Sequence, residues 1–344
     1  MRRPALIDLG LSRVVRTLDR LGAPHRRLPP VFHVAGTNGK GSTCAYLRAI
    51  LEASGATAHA FTSPHLVRYA ERIVLAGREI ADEDFIAAID RVDEAAGADD
   101  LTLFETITCA AFLAYAETPA DYLVLEVGLG GRLDATNVIE RPLAATVTPI
   151  ALDHQNFLGD TLGAIAGEKA GIFRAGAPAV VVPQSAEAMA VFEREAARVR
   201  APLLAFGSAW TAWTENGRLI YQDEAGLSDL AAPRLIGAHQ FMNAGLAVAA
   251  IRAAGLPFTD EILSAGLQNA RWPARLQRLK SGPLVEALGS GSELWLDGGH
   301  NPHAARALAN TLADMEERNS RPLILITGMQ ENKDIVLSFA AFSG

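Results

Sequence analysis

A glycine-rich run with one lysine and one serine is the part of the sequence best suited to chemistry on phosphate. The run reads Ala35-Gly36-Thr37-Asn38-Gly39-Lys40-Gly41-Ser42. Glycines let a backbone approach phosphate oxygens closely, and the amides at a helix N-terminus attract anions. In such a loop, Lys40 would lie on the β- and γ-phosphates and Ser42 would place its hydroxyl on Mg²⁺.

The run departs from the usual phosphate-loop pattern, G-x-x-x-x-G-K-[ST]. Val34 stands at the first glycine position, and Gly41 separates Lys40 from Ser42. The structural alternative is a plain glycine turn that joins a strand to a helix. We favour nucleotide binding, because the lysine and the serine stand where phosphate and metal need them.

The segments around this loop supply the elements that it requires. Val31–Val34 is apolar and predicts a buried strand, and the helix after the loop places Leu47, Ile50 and Leu51 inward, up to Gly55. Further segments predict helices at 10–21, 104–116, 161–170 and 240–254, strands at 122–126, 144–148 and 179–182, and a β-rich excursion at 207–232 with a turn at Asn216-Gly217. This alternation indicates an α/β nucleotide-binding fold.

The length of the chain favours a second domain. A chain of 344 residues, 49% of them hydrophobic, exceeds the size at which single cores usually split. Glycine and serine concentrate at 281–292, so we predict a nucleotide-binding domain over 1–282 and a smaller Rossmann-like α/β domain over 290–344. The second domain would contain strands at 293–297 and 322–327 and a helix at 302–317. We expect it to be incomplete, since so few elements bury little surface.

Composition excludes several classes of protein. The net charge of −8 argues against a general nucleic-acid binder. No apolar run approaches the roughly 20 residues that span a bilayer, and the N-terminus is too short and polar for a signal peptide. The two cysteines, Cys44 and Cys109, indicate a reducing cytoplasm and are predicted to be core residues.

Several runs, taken in order along the chain, resemble one family. The run Gly36–Ser42 is similar to the loop of the Mur-type amide ligases. Further runs resemble the folylpolyglutamate and dihydrofolate synthase family. They are Thr62–Leu66 with Glu71-Arg72, Glu126–Asn137, Leu152–His154, Glu168–Phe173 and Asp297–His303. The resemblance extends from about Asp8 to Asp334. Members of that family continue beyond a position like Gly344, so we expect part of the C-terminal domain and of the glutamate site to be missing here.

The resemblance implies a function. It implies a Mur-ligase-type domain and an ATP-dependent amide ligase that adds L-glutamate to dihydropteroate, to folates or to both, through an acyl phosphate. It also implies a cytoplasmic enzyme of folate biosynthesis and one-carbon metabolism. We expect a monomer that acts on small molecules, with neither nucleic acid nor membrane as partner.

The metal ligands are predicted mainly from the resemblance. Glu126 ends a predicted strand, where a carboxylate reaches the phosphate crevice of an α/β sheet. The family implies two Mg²⁺ sites held by Ser42, Ser63, Glu126 and His154, and a Lys169 carbamylated by CO₂. As alternatives, Ser63 could cap a turn, His154 could be a hydrogen-bonded loop residue, and Lys169 could be an ordinary lysine.

The remaining site residues also come from the resemblance. ATP would contact Asn243, Arg275 and Asp297 besides the phosphate loop, and His300, with Lys40 and Lys169, would act near the reacting groups. The pterin substrate would contact Asp8, Leu9, Gly10, Leu11, Thr102, Leu103, Phe104, Glu105, Leu133, Asp134 and Ala135. Helix capping and core packing are the structural alternatives for these positions.

Three rival functions stay open at this point. A cell-wall Mur ligase would perform the same chemistry on a UDP-linked peptide, but the Ser63-Pro64-His65 loop and the run 133–137 favour folate. A nucleotide switch would carry the base-reading motif N-K-x-D, whereas Ile335 follows Asn332-Lys333-Asp334. The third rival is a remnant that binds ATP without turnover.

Overall fold

One large sheet forms the centre of the molecule. The computed structural model describes residues 10–289, 291–330 and 333–342. Eight strands make the sheet: β1 Val31–Ala35, β2 Ala58–Phe61, β3 Ile73–Leu75, β4 Arg78–Glu79, β5 Tyr122–Glu126, β6 Ala144–Val147, β7 Ala179–Val181 and β8 Leu203–Ala205. Their order is β4-β3-β2-β5-β1-β6-β7-β8. All neighbours are parallel except the pairs β2–β3 and β3–β4, which are antiparallel.

Helices cover both faces of this sheet. They are α1 Ser12–Arg20, α2 Lys40–Ala53, α3 Asp82–Ala96, α4 Leu103–Glu117, α5 Gln155–Leu158, α6 Leu162–Ala170, α7 Ala186–Val199, α8 Ala238–Ala253 and α9 Asp260–Asn269. Phe32 and Val34 pack with α2, α8 and α9. Val31, one residue out of phase, packs with α1, α3 and α4 on the opposite face. The continuous apolar strands follow from this double burial, and the predicted α/β class is confirmed.

A separate antiparallel sheet lies against α8. It consists of β9 Trp210–Glu215, β10 Arg218–Asp223 and β11 Gly226–Leu230. Asn216 and Gly217 both have positive φ, at 51° and 73°, as a tight hairpin turn requires. Trp210 and Leu219 are buried in the core shared with α8. The predicted β-rich excursion is therefore confirmed.

The C-terminal part forms a smaller unit beside the cleft. It contains β12 Gln277–Leu279, α10 Pro283–Leu288, β13 Leu294–Leu296, α11 Pro302–Arg318 and α12 Ile335–Ala340. The antiparallel pairing of β12 with β13 spans the predicted boundary at 281–292. Residues 277–279 thus share their backbone hydrogen bonds with the segment beyond that boundary. The division into two domains stays a prediction.

The predicted strand at 322–327 is wrong. These residues have no regular secondary structure, and Ile324 and Ile326 are 84% and 90% exposed. A strand needs a neighbour that shares its backbone hydrogen bonds. No strand in the described part of the chain pairs with this segment.

Cys44 and Cys109 are both free and buried, as predicted. Among the described residues, no helix combines the length and the apolar character that a membrane span requires.

Candidate active site

One cavity of about 880 Å³ lies between the C-terminal ends of the central strands and the smaller unit. Nearly all predicted site residues that the structure describes line it: Gly36, Thr37, Asn38, Gly39, Lys40, Gly41, Ser42, Ser63, Thr102, Leu103, Phe104, Glu105, Glu126, Leu133, Asp134, Ala135, His154, Lys169, Asn243, Arg275, Asp297 and His300. Gly10 and Leu11 are described and are not among the lining residues. Asp8 and Leu9 lie outside the described residues.

The phosphate loop begins where β1 ends. Gly36 cannot be replaced there, since a Cβ would lie 1.7 Å from Thr148 Oγ1. The amides of Thr37 and Asn38 donate to the carbonyl oxygen of Pro149, at 3.0 and 3.3 Å. Fewer backbone amides of the loop are therefore available to a phosphate than the sequence predicts. The first-turn amides of α2, at residues 40–42, have no intrahelical acceptor and are free to bind an anion.

Two lysines converge on one carbonyl oxygen of this loop. Lys40 Nζ lies 3.2 Å and Lys169 Nζ 2.7 Å from Gly36 O. Burial first, and the neighbouring Lys40 ammonium second, lower the pKa of Lys169 to about 7. The arrangement concentrates positive charge next to the cradle, and it leaves Lys169 a substantial neutral fraction near neutral pH.

Glu126 lies beside the loop because of the sheet register. β5 pairs with β1 so that Glu126 is opposite Val34, two residues before Gly36. The carboxylate is 2% exposed, and its Oε2 accepts a hydrogen bond from Ser63 N at 3.1 Å. Burial raises its pKa to about 7, against the opposing effect of Lys40. A buried carboxylate of this kind is a favourable place for a cation.

Helix α8 also contacts the phosphate loop and the first turn of α2. Gln240 Nε2, on α8, donates to Ser42 Oγ at 3.3 Å, and Asn243 Nδ2 donates to Gln240 Oε1 at 3.2 Å. A Cβ at Gly39 would lie 2.5 Å from Asn243 Oδ1, so this glycine permits the close approach. Gln240 was missed from the sequence. Its spacing of three residues from Asn243 on one helix face is the signal that could have found it.

The loop at residues 151–154 carries another predicted ligand. His154 has a half-exposed side chain and a lowered pKa, caused first by partial burial. It is therefore neutral at physiological pH and has a free nitrogen lone pair to offer. The preceding Asp153 accepts a hydrogen bond from His154 N at 2.8 Å and lies 3.8 Å from His300 Nε2.

The predicted metal ligands come from four separate elements. Ser42 is on α2, Ser63 follows β2, Glu126 ends β5 and His154 follows β6. All four line the cavity. Within the described ranges, no group of three or more histidine, cysteine or acidic side chains is placed to hold a metal. The predicted set is of a different kind, because two of its members are hydroxyls.

On the sheet side, α4 and the glycine loop after β5 form the part of the cavity that we call the lower wall. Thr102 and Glu105 form a capping box at the start of α4, and both Glu105 oxygens accept from Arg13 Nε at 2.9 Å. Structural roles thus account for these two polar side chains. The Phe104 ring packs against Gly128, where a Cβ would lie 2.2 Å away.

Asp134 fixes the shape of that glycine loop. It is 3% exposed, and its carboxylate accepts from Leu129 N at 2.8 Å and from Thr136 N and Oγ1 at 3.0 and 2.5 Å. The pKa of Asp134 is raised, primarily by burial. The side chain therefore acts on the loop around it, and its predicted contact with substrate stays a prediction.

The opposite wall comes from the smaller unit. Asp297 accepts from Leu276 N at 2.8 Å and Gly299 N at 2.7 Å, which ties the residue just before β12 to the turn after β13. Arg275 Nη1 donates to Ala274 O at 3.0 Å and adds positive potential near Glu126. Both side chains face the space across from the phosphate loop.

Some lining residues were not assigned a role from the sequence. Arg72 follows the Ser63 loop, and its Nε donates to His65 Nδ1 at 3.1 Å. Gln240 and His239 lie at the start of α8, and Lys333 reaches the cavity from the C-terminal segment. None of them belongs to a phosphate-binding pattern, so only the fold brings them together.

A sheet with helices on both faces, with a glycine loop and a buried carboxylate at the C-terminal ends of its strands, is the arrangement of a nucleotide-binding α/β protein. The family model of the Mur ligase middle domain matches residues 34–251. The chain is 37% identical over 340 residues to the dihydrofolate synthase/folylpolyglutamate synthase of Bacillus subtilis, with 94% of this chain and 76% of the relative covered.

Solved structures agree with this match. Escherichia coli FolC in complex with DHPP and ADP has a TM-score of 0.86 at 36% identity, covering 97% of this chain and 77% of that one. A bifunctional folylpolyglutamate synthase/dihydrofolate synthase with Mn, AMPPNP and L-glutamate bound has a TM-score of 0.86 at 37% identity, covering 98% and 78%. The chain belongs to the dihydrofolate synthase/folylpolyglutamate synthase family and is a ligase.

Proposed function

We propose that this chain joins L-glutamate to dihydropteroate, to folates or to both, in a reaction that consumes ATP. The observation that carries the proposal is the pairing of Val34 with Glu126, which brings a buried carboxylate next to the first-turn amides of α2. The names and ligands of the relatives support the same reaction class.

The reaction needs two anions to approach each other. In the proposed mechanism, the substrate carboxylate attacks the γ-phosphate of ATP, the bond to the β,γ-bridging oxygen breaks, and an acyl phosphate and ADP are formed. The amides at the start of α2 hold the phosphates, and the Lys40 ammonium neutralises the charge that develops on them. The glutamate amine then attacks the acyl phosphate, and the tetrahedral intermediate collapses to an amide and inorganic phosphate.

The donor set in the cavity suits a divalent cation. Glu126 is a buried carboxylate whose pKa is raised to about 7, so it gains from a cation more than an exposed carboxylate would. The Ser42 and Ser63 hydroxyls add oxygen donors, which Mg²⁺ prefers, and His154 adds a neutral nitrogen. When bound, Mg²⁺ would supply positive charge to the phosphate oxygens.

Lys169 is proposed to react with CO₂. Its amine is buried and lies 2.7 Å from Gly36 O, and a pKa of about 7 keeps part of it neutral and nucleophilic. The neutral amine attacks CO₂, and loss of one proton leaves a carbamate anion. Labelled bicarbonate would give a carbamate signal in the carbon NMR spectrum of the wild type and none in Lys169→Arg. The same signal in both proteins would contradict the assignment.

The proposed function is tested by product analysis. The protein is incubated with ATP, Mg²⁺, L-glutamate and either dihydropteroate or a folate, and the products are identified by mass spectrometry. We expect one glutamate joined per phosphate released, with either or both acceptors. Phosphate release that requires a UDP-linked peptide would favour the cell-wall rival, and ATP binding without turnover would favour the remnant.

Two expectations about the whole protein accompany this proposal. We propose that it acts as a monomer and resides in the cytoplasm. Light scattering after size-exclusion chromatography would measure the first, and fractionation of the source cells would measure the second.

A further inference from the structure

Four polar side chains connect the two walls of the cavity. We call them the cleft latch: Asn38 and Asp153 on the sheet side, and Asn301 and Lys333 on the side of the smaller unit. Asn301 Nδ2 donates to Asn38 Oδ1 at 2.9 Å, and Asn38 Nδ2 donates back to Asn301 Oδ1 at 3.2 Å. Lys333 Nζ donates to Asp153 Oδ1 at 2.7 Å, and Asn301 Nδ2 lies 3.3 Å from Asp153 Oδ2.

The contacts of the latch are largely shielded from water. The side chains of Lys333 and Asp153 are each only 10% exposed, and Asn301 is 3% exposed. An ion pair removed from water is less screened by salt than one on the surface. If one of the two charged groups moves away, the other is left poorly solvated. The Lys333–Asp153 pair therefore resists separation more than the exposed pairs elsewhere in the described chain do.

On the sheet side, the latch residues belong to the phosphate loop and to the loop that carries His154. Asn38 belongs to the phosphate loop itself. Asp153 accepts from His154 N at 2.8 Å, so it also fixes the loop that carries a predicted metal ligand. On the other side, Asn301 caps α11 by accepting from Ala304 N at 2.9 Å. Movement of α11 would therefore pull on both the phosphate loop and the His154 loop.

We propose that the cleft latch positions the phosphate loop and the His154 loop for phosphoryl transfer and keeps the cavity closed around the acyl phosphate. The second part rests on the proposed function. Asn38, Asp153, Asn301 and Lys333 are then positioning residues. Lys333, which belongs to an incomplete base-reading run in the sequence, has its use in this contact.

The coupling of phosphate release to amide formation tests the latch in the working enzyme. Lys333→Met removes the ammonium, and Asn301→Asp keeps the helix cap while it removes the donor and places a second carboxylate beside Asp153. Arg91→Met is the control, because it breaks an exposed Arg91–Glu117 pair of the same 2.7 Å length. We expect the number of amides formed per phosphate to fall about tenfold in both latch variants, equivalent to about 1.4 kcal/mol, and to stay unchanged in the control.

A distance measurement tests the cleft latch independently of catalytic turnover. Spin labels are attached at Glu193→Cys on α7 and Glu316→Cys on α11, both exposed, while Cys44 and Cys109 are buried and resist labelling. We expect a narrow distance distribution in the otherwise native chain and a broad one in Asn301→Asp and Lys333→Met, with thermal unfolding confirming that the variants fold. Unchanged distributions would overturn the latch even if the protein makes no amide. Failure of the proposed function alone would appear as absent product with the distance effect intact.

Discussion

The two walls of the cavity are built in different ways. On the sheet side, the loop and Glu126 lie at the ends of buried parallel strands, and Val34 and Glu126 are at most 2% exposed. On the opposite side, the His300 side chain is 48% exposed, and β12 and β13 have three residues each. The predicted phosphate-binding groups are thus preorganised by the sheet, whereas the opposing groups depend on contacts across the cleft.

This difference ranks the expected effects of substitution. Changes on the sheet side should impair the chemical step, since electrostatic stabilisation requires fixed charges in a dry site. Apart from the cleft latch, changes on the opposite wall should mainly weaken binding.

Removal of the loop lysine should have the largest effect. Lys40→Ala takes away the ammonium that we propose to neutralise the transferring phosphate, and we expect kcat to fall about 10³-fold. Lys280→Ala is the matched control, because Lys280 is exposed and outside the cavity. Steady-state amide formation measures both, and near-normal turnover of Lys40→Ala would reject the role given to this lysine.

Glu126→Gln should separate activity from stability. We expect kcat to fall about 10²-fold, since the amide keeps the hydrogen bond from Ser63 N but offers no charge to a cation. The metal-free variant should nevertheless be more stable than the wild type at a pH of about 8.

The sign of that stability change follows from the raised pKa of Glu126. In the folded protein this pKa is about 7 against an ordinary 4.5, so ionisation favours the unfolded chain and stability is lost as pH rises through that window. Glutamine removes this penalty, worth up to about 3 kcal/mol above the window. Denaturant unfolding in chelator measures it. An equal difference at a pH of about 4 would contradict the explanation.

A substitution in the lower wall should weaken binding of the pterin substrate alone. Gly128→Ala would place a Cβ 2.2 Å from the Phe104 ring, so the ring must move and reshape that wall. We expect KM for dihydropteroate to rise about tenfold, the cost of about 1.4 kcal/mol, with KM for ATP unchanged. A rise in the ATP value instead would show that this wall belongs to the nucleotide.

The opposite wall should show the smallest effect. Arg275→Met removes a guanidinium that faces the cavity but hydrogen-bonds only its neighbour's carbonyl among the described contacts. We expect KM for ATP to rise about threefold to tenfold with kcat nearly constant, as loss of uniform binding predicts. Arg278→Met, three residues further on and paired with Glu293 outside the cavity, is the control. A kcat loss comparable to that of Lys40→Ala would erase the difference between the walls.

The sequence predicted the sheet side well, for a physical reason. A strand, a glycine loop and a helix are consecutive in the chain, so the pattern around Gly36 to Ser42 contains its own geometry. Glu126 could be placed because parallel strands end at one edge of a sheet. The hydrogen-bond partner of the Thr37 and Asn38 amides could not be predicted, because Pro149 comes from a distant segment of the chain.

The opposite side was predicted less well. Apolar residues at 322–327 indicated a strand, but a pattern of apolar residues does not say which neighbour would share its hydrogen bonds. Lys333 makes a long-range contact with Asp153 across the cleft, and no local spacing relates these two residues. This contact exists only because the fold brings the two walls together.

The proposed reaction requires that the substrate carboxylate be phosphorylated in the cradle beside Glu126. The enzyme is given dihydropteroate with heavy oxygen in its carboxylate, and the phosphate released during amide formation is analysed by mass spectrometry. Transfer through an acyl phosphate predicts one heavy oxygen in each phosphate, and loss of this transfer in Lys40→Ala. Phosphate that contains oxygen only from ATP and water would contradict the account.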